Sequence, residues 1–268
     1  MPSVPTDLGD LYFEIVDLTP PWVAAPEVVL FHHGIGTNSG VWTEWLPILA
    51  DRYRLIRFDM LGFGQSTTPP DGTGWSVEML AANACAVASV AGHDRFHFVG
   101  ESLGGTVGLY LAAQNDTPLL SLTASNAAHL GQRVDNVNDW GRMIERLGPD
   151  GWSRQMMDWR FPKGSLTQAQ YDWYHTAQSR RPLHVTVELS RLLLGADLGA
   201  LLPQIDIPTL LLSPDSSPFI PLRVMQELKE LLPHAEMHEF DRTSHGLPFT
   251  HARECAATLR AFLDQGAD

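Results

Sequence analysis

A chain of 268 residues that is 44% hydrophobic, 9% aromatic and only 18% charged has enough apolar surface to offset the entropy of ordering its backbone, so it reads as one large, decorated domain and not as a disordered polymer. Acidic residues outnumber basic ones, 31 against 18, for a formal charge of -13; such a body repels nucleic-acid phosphates and anionic lipid headgroups, and neither nucleic acid nor membrane is expected as a partner. No apolar run approaches the roughly 20 residues of a membrane-spanning helix, and residues 1–10 lack a basic-then-apolar leader, so a cytoplasmic location is expected.

In chain order, short aliphatic and β-branched runs bounded by Gly, Pro or Asp alternate with longer stretches of helical spacing. The strands are expected at Val28–His32, Tyr53–Phe58, Phe96–Val99, Leu119–Thr123, Thr209–Leu212 and Glu236–Phe240. Most are apolar throughout, as in parallel strands covered on both faces. Ser76 reads as the N-cap of an Ala-rich helix ending at Gly92. Helices are also expected over Leu103–Gln114, Leu222–Leu232 and His251–Leu263. From about Gly131 to Gly199 strand patterning disappears and helical spacing takes over, with four of the eight tryptophans, at 140, 152, 159 and 173. The expected class is therefore α/β: a mostly parallel central sheet with helices on both faces, its core formed by residues 1–130 and 200–268, and a helical cap inserted at 131–199. Cys85 and Cys255 are far apart and without a CxxC partner, which argues against a disulfide and against a thiolate metal site. Both are expected to be buried.

The most informative stretch is Phe96 to Gly105, FHFVGESLGG: an apolar strand, then G-x-S-x-G, then a helix. Glycines two positions before and after Ser102 leave room for a sharp strand-to-helix turn that lifts the hydroxyl above the sheet, marking Ser102 as a nucleophile. The N–H of Leu103, at the helix start, can meet a developing oxyanion. This pattern resembles the α/β-hydrolase fold family over nearly the whole chain. The run Val28 to Gly36, VVLFHHGIG, resembles the strand and His-Gly loop that supply the family's second oxyanion donor, which the resemblance assigns to the N–H of Ile35. His32 and His33 point to opposite faces and cannot share a metal ion, so they are read as structural. Asp59 to Ser66, DMLGFGQS, resembles the family's D-x-x-G-x-G-x-S loop, where Asp59 is expected to brace the turn.

A serine hydroxyl needs a base. Of the eleven histidines, His245 lies in the loop DRTSHG between the last strand and the last helix, where the family carries its own. The acid is less clear. The segment after the strand at 208–212 reads SPDSSPFIP where the family has G-x-x-D-x-x-x-P: counting forward from the strand puts Ser216 at the acid's place, counting back from Pro221 puts Ser217 there, and Asp215 stands one or two residues early. Asp215 is expected to be the acid, turned toward the histidine by an extra loop residue. The competing readings are that it caps a turn, or that the orienting group comes from the end of the preceding strand, where Asn126 stands.

The inserted region, 131–200, carries eight arginines and one lysine against eight acidic residues. Such a cap over an acidic body could draw a small carboxylate into the cleft, although arginines paired with helical neighbours are the plainer expectation for any one of them. Met143, Met156, Met157 and the cap aromatics Trp140, Trp159, Phe161 and Trp173 could line the cleft or simply pack. Ser125 to Gly131 followed by Trp159-Arg160-Phe161 is most similar to 3-oxoadipate enol-lactonases, a resemblance that implies small carboxylated lactones as a substrate class. The expected activity is a serine hydrolase (Ser102, His245, Asp215, with oxyanion donors at Ile35 and Leu103) that opens a small ester, lactone or amide without metal or cofactor. A carbon–carbon hydrolase of ring-cleavage diketones and a non-catalytic ligand-binding homologue are the alternatives. Its partner is a small-molecule substrate, and the sequence leaves room for a homo-oligomer.

Overall fold

The computed structural model describes residues 2–90, 92–180 and 183–265. An N-terminal hairpin, β1 (Ser3–Thr6) and β2 (Gly9–Val16), precedes β3 (Val28–His32), and the short α1 (Leu46–Leu49) leads to β4 (Arg54–Phe58). Then follow α2 (Val77–Val90), β5 (Phe96–Glu101), α3 (Leu103–Ala112) and β6 (Leu119–Ser125). Three helices come next, α4 (Trp140–Arg160), α5 (Gln168–Ser179) and α6 (Leu183–Gly195). The chain closes with β7 (Thr209–Pro214), α7 (Leu222–Leu231), β8 (Ala235–Phe240), α8 (Leu247–Thr250) and α9 (Ala252–Gln265). The eight strands form one sheet in the order β1-β2-β4-β3-β5-β6-β7-β8, parallel from β4 to β8.

The uninterrupted apolarity of the inner strands follows from burial on both sides. Val28 and Leu30 face one core with Leu80, Val107 and Val224, whereas Val29 and Phe31 face the other with Trp42, Trp45 and Leu259. A residue on either side of the pleat must therefore be apolar, and the period-two signal vanishes. The hairpin β1–β2 was not apparent from pattern because only Leu11, Tyr12 and Phe13 of β2 are buried while its ends are open. It joins by antiparallel pairing, Phe13 opposite Phe58.

β5, β6 and β7 each run about two residues beyond their apolar stretch, to Glu101, Ser125 and Pro214, so polar side chains are set at the carboxyl edge of the sheet. That edge is where α/β sheets place ligands. The helices α4 to α6 leave the core between β6 and β7, and the base of the excursion is tied by a bridge between Leu130 and Asp197 and by Leu198 N donating to His129 O at 2.8 Å. α4 bends at Gly148, which lies at φ 68 ahead of Pro149. Cys255 is buried as expected, but Cys85 is only half-buried. Among the described residues no helix is long and apolar enough to cross a membrane.

Candidate active site

Ser102 sits between β5 and α3 at φ 55, ψ -118, a region that costs a non-glycine residue about 1–3 kcal/mol. The turn closes because its flanking glycines carry no Cβ: one on Gly100 would lie 2.3 Å from Gly104 O, and one on Gly104 would lie 2.4 Å from His32 O. Ser102 N donates to Ser125 O at 2.9 Å, which locks the bend to the end of β6. As the first residue of α3, Leu103 has an N–H that no helical carbonyl reaches. The loop after β3 passes directly over the serine, since a Cβ on Gly34 would come 3.0 Å from Ser102 Cβ. Ile35, the next residue, is buried beside it.

His245 lies at the end of the β8–α8 loop, fully inside, and three elements hold it. Asn126 Nδ2, just past β6, donates to the His245 carbonyl at 3.1 Å and to Ser125 Oγ at 3.4 Å. The cap contributes from α4: Ser244 Oγ donates to Trp159 O at 3.0 Å, and Gly246 N donates to Arg160 O at 3.0 Å. Phe219 packs edge-on against the imidazole at 4.9 Å. The Ser125–Asn126 step thus touches both the serine's turn and the histidine's loop. Asn126 is in the left-handed region at φ 51, and its contribution is to position His245 through the backbone, not to orient its ring.

The structure does not bring Asp215 to the histidine. Its carboxylate accepts from Arg242 N at 2.7 Å and Thr243 N at 3.0 Å, bracing the turn that precedes His245. Burial pushes this carboxyl up, but those N–H bonds and the Ser216 hydroxyl outweigh it and hold the group below the usual carboxylate range. The group facing the imidazole is Ser217, whose Oγ lies 3.1 Å from Nδ1 and also accepts from Ile220 N at 3.2 Å and Phe219 N at 3.4 Å. With Nδ1–H donating to that oxygen, Nε2 keeps its lone pair and can accept a proton. The expectation for Asp215 failed because the extra loop residue lies ahead of the critical position: counting back from Pro221 gives the residue that arrives at the imidazole.

The surroundings favour a neutral histidine. Burial, and then the positive charge of Arg160, push the His245 pKa well below its ordinary value. Beneath the serine, the carboxyl of Glu101 is entirely buried, and burial raises its pKa to about 7 even though Arg160 opposes the shift. Arg160 lies at the end of α4, where an arginine is ordinarily a surface group, so the sequence does not single it out among the eight arginines of the inserted region. It is only 2% exposed and donates from Nη2 to Ile35 O at 3.1 Å.

The remaining expected residues have structural surroundings. Asp59 accepts from Ser39 N at 2.8 Å and Gln65 N at 2.7 Å, bracing its turn. His32 is enclosed between the Phe58 and Phe98 rings, with burial taking its pKa to about 3, and His33 Nε2 accepts from Met60 N at 2.9 Å. No group of three or more His, Cys, Asp or Glu side chains suited to a metal occurs among the described residues. Trp173 stacks on Phe249 at 5.5 Å over Gly40 and is partly exposed, so it does not line the serine's surroundings. Trp140 and Trp152 do approach them, the first through Phe219 and the second through Gly36.

A family model described as the alpha/beta hydrolase fold matches residues 27–186. The protein called "Putative carbamate hydrolase RutD" from Yersinia enterocolitica is 26% identical over 264 residues, spanning 94% of this chain and 92% of its own. One of the same name from Stutzerimonas stutzeri is 27% identical over 220 residues, covering 80% of this chain and 82% of its own. Among solved structures, the enol-lactonase from Burkholderia xenovorans superimposes with a TM-score of 0.88 at 19% identity, covering 98% of this chain and 100% of that one. An esterase from Exiguobacterium antarcticum gives 0.85 at 19% identity, covering 98% of each chain. At such identities the likeness is one of fold.

Proposed function

The chain belongs to the alpha/beta hydrolase fold family, and on that premise we propose that it is a serine hydrolase of small esters, lactones or amides that works through an acyl-enzyme on Ser102. The observation that carries this reading is the strained turn at Ser102, held by Ser125 beside a histidine loop that Asn126 fixes from the same strand end. In the first half-reaction Ser102 Oγ bonds to the carbonyl carbon while its proton passes to His245 Nε2. The N–H groups of Leu103 and Ile35 hold the negative oxygen, and collapse of the adduct breaks the bond to the leaving alkoxide or amine, which takes the proton from His245. Water then gives a proton to His245 and attacks the acyl carbon, restoring Ser102. Carbamates contain the same carbonyl and the same kind of leaving group, so relatives named as carbamate hydrolases are consistent with this chemistry.

Hydrolysis of 4-nitrophenyl butyrate tests the reading. Wild-type protein is expected to release nitrophenolate with a burst, and Ser102→Ala to lose turnover by at least about 10³-fold with an unchanged circular dichroism spectrum. A folded wild-type protein without turnover on esters, lactones or amides would instead make the chain a ligand-binding homologue.

A further inference from the structure

Charged side chains are seldom enclosed without a counter-charge, because removing a guanidinium from water is costly unless something replaces the lost hydrogen bonds. Cap arginines elsewhere obey this rule at the surface: Arg142 pairs with Asp139, and Arg154 with Asp150. Arg160 does not. It is 2% exposed, and among the described residues it belongs to no ion pair; while Nη2 is occupied by Ile35 O, Nε and Nη1 have no partner there. The internal acid that senses its charge, Glu101, is pushed toward the protonated state by its own burial although Arg160 opposes the shift, and the Tyr174 hydroxyl, which the guanidinium reaches, is a neutral group.

Further unsatisfied donors cluster with Arg160 around the ring that packs on His245. The guanidinium carbon stands 5.5 Å from the centre of the Phe219 ring, whose edge faces His245 at 4.9 Å. Trp140 packs on the same ring at 5.7 Å, and Trp152 packs on Trp140 at 5.6 Å; the indole N–H of each is buried without an acceptor. Four donor nitrogens without acceptors, two of them on a charged guanidinium, therefore belong to one packed cluster of cap side chains linked through Phe219 to His245. A cluster so rich in donors calls for an anion with several lone pairs.

Resting on the serine-hydrolase reading, we propose that Arg160 is the anion-binding residue of the active site and selects substrates that carry a carboxylate a few bonds from the scissile carbonyl. Nε and Nη1 receive the carboxylate, with the indoles of Trp140 and Trp152 supplying further donors. The bound anion also offsets the positive charge that opposes protonation of His245, so it performs part of the electrostatic work that a triad carboxylate performs where Ser217 stands here.

Two measurements on the full chain test the proposal. The first compares the hemiester 4-nitrophenyl hydrogen glutarate with uncharged 4-nitrophenyl valerate. Wild-type protein should show kcat/KM at least about 10-fold higher for the hemiester, and Arg160→Met should erase the preference by raising KM for the hemiester while speeding turnover of the valerate, since the charge opposing the imidazolium is gone. Arg160→Lys, which keeps the charge without the fork, should restore part of the preference, separating loss of the anion contact from a general disturbance of the cap. The second is calorimetric titration with glutarate, which should bind wild-type protein and lose at least about 10-fold in affinity in Arg160→Met. Equal kcat/KM for the two esters together with no glutarate binding overturns the proposal and leaves the nucleophile assignment standing. Glutarate binding that depends on Arg160, with neither ester turned over, supports the anion site and refutes the hydrolase reading.

Discussion

Ser217→Asp should make the site faster. In the wild-type chain the imidazole ring is oriented by a neutral hydroxyl, Ser217 Oγ at 3.1 Å from Nδ1, which fixes the tautomer but contributes little against the positive charge that forms when His245 takes the serine's proton. A carboxylate at 217 would face the same nitrogen and inherit the Phe219 and Ile220 N–H groups that now bond to the hydroxyl, so its charge would be solvated from the moment of folding. Changing a neutral hydrogen bond to a charge-assisted one is worth about 1–2 kcal/mol, and the coulombic attraction of opposite charges about 4 Å apart at an effective dielectric constant near 20 is about 4 kcal/mol before the cost of burying the carboxylate. The transition state should therefore gain about 1.4–2.8 kcal/mol, a rise of about 10- to 100-fold in kcat on an uncharged ester such as 4-nitrophenyl butyrate. A second signature accompanies it: the acid limb of the kcat/KM profile, which in the wild-type chain should lie well below pH 6.5 because burial and Arg160 depress His245, should move upward. A folded Ser217→Asp protein with unchanged or reduced kcat on the uncharged ester would refute the view that charge on this side of the imidazole is what the wild-type site lacks.

Asp215→Ala should act on the loop and not on the chemistry. It removes the acceptor for Arg242 N and Thr243 N, with an expected loss of about 1–2 kcal/mol in urea denaturation and a kcat reduced by less than about 10-fold, against the roughly 10⁴-fold cost of losing a triad acid; a loss of the larger size would restore Asp215 to the triad. Glu101→Gln should stabilise the protein in alkaline solution. Because the folded carboxyl titrates near 7 and the unfolded one near 4.5, its contribution to stability is complete below pH 4.5 and is lost as pH rises through 7, by about 1.4 kcal/mol per pH unit, or about 3 kcal/mol in all. Thermal melts of the variant and the wild type should accordingly converge at pH 4 and separate in the variant's favour at pH 8, whereas equal differences at both values would show that Glu101 titrates normally. The enclosed histidines work in the opposite direction: His32 titrates near 3 in the folded protein, so acidification from about 6.5 favours the unfolded chain, and His32→Phe should flatten the acid side of the stability profile measured by urea titration between pH 6.5 and 4.

The sheet was legible because its inner strands announce themselves. Five residues such as Val28–His32, all buried, admit almost nothing polar, and the β5–turn–α3 unit adds a glycine spacing that backbone contact enforces. The N-terminal hairpin lacked both signals, with half of β2 facing solvent and its partner strand only four residues long. The places of Ser102 and His245 in the fold were readable for a related reason: each stands at a junction between a strand and the next helix, where local pattern fixes the position to within a residue. The group opposite Nδ1 was not, because its place depends on how the seven residues between β7 and α7 coil, and the sequence shows a carboxylate two positions from the hydroxyl that reaches the imidazole. Arg160 was hidden for a different reason. Sequence shows a basic residue at the end of an amphipathic helix, and only the packing of α4 against the 34–36 loop and Phe219 turns that residue inward.

The proposed hydrolysis rests on one hydroxyl, raised on the β5–α3 turn and made nucleophilic by the imidazole of His245. Reaction with a fluorophosphonate, followed by peptide mass mapping and by the rate of adduct formation, tests it directly. A single adduct is expected on the peptide containing Ser102, absent in Ser102→Ala and formed at least about 100-fold more slowly in His245→Gln. An adduct on another serine, or labelling of Ser102 at an undiminished rate without His245, would contradict it.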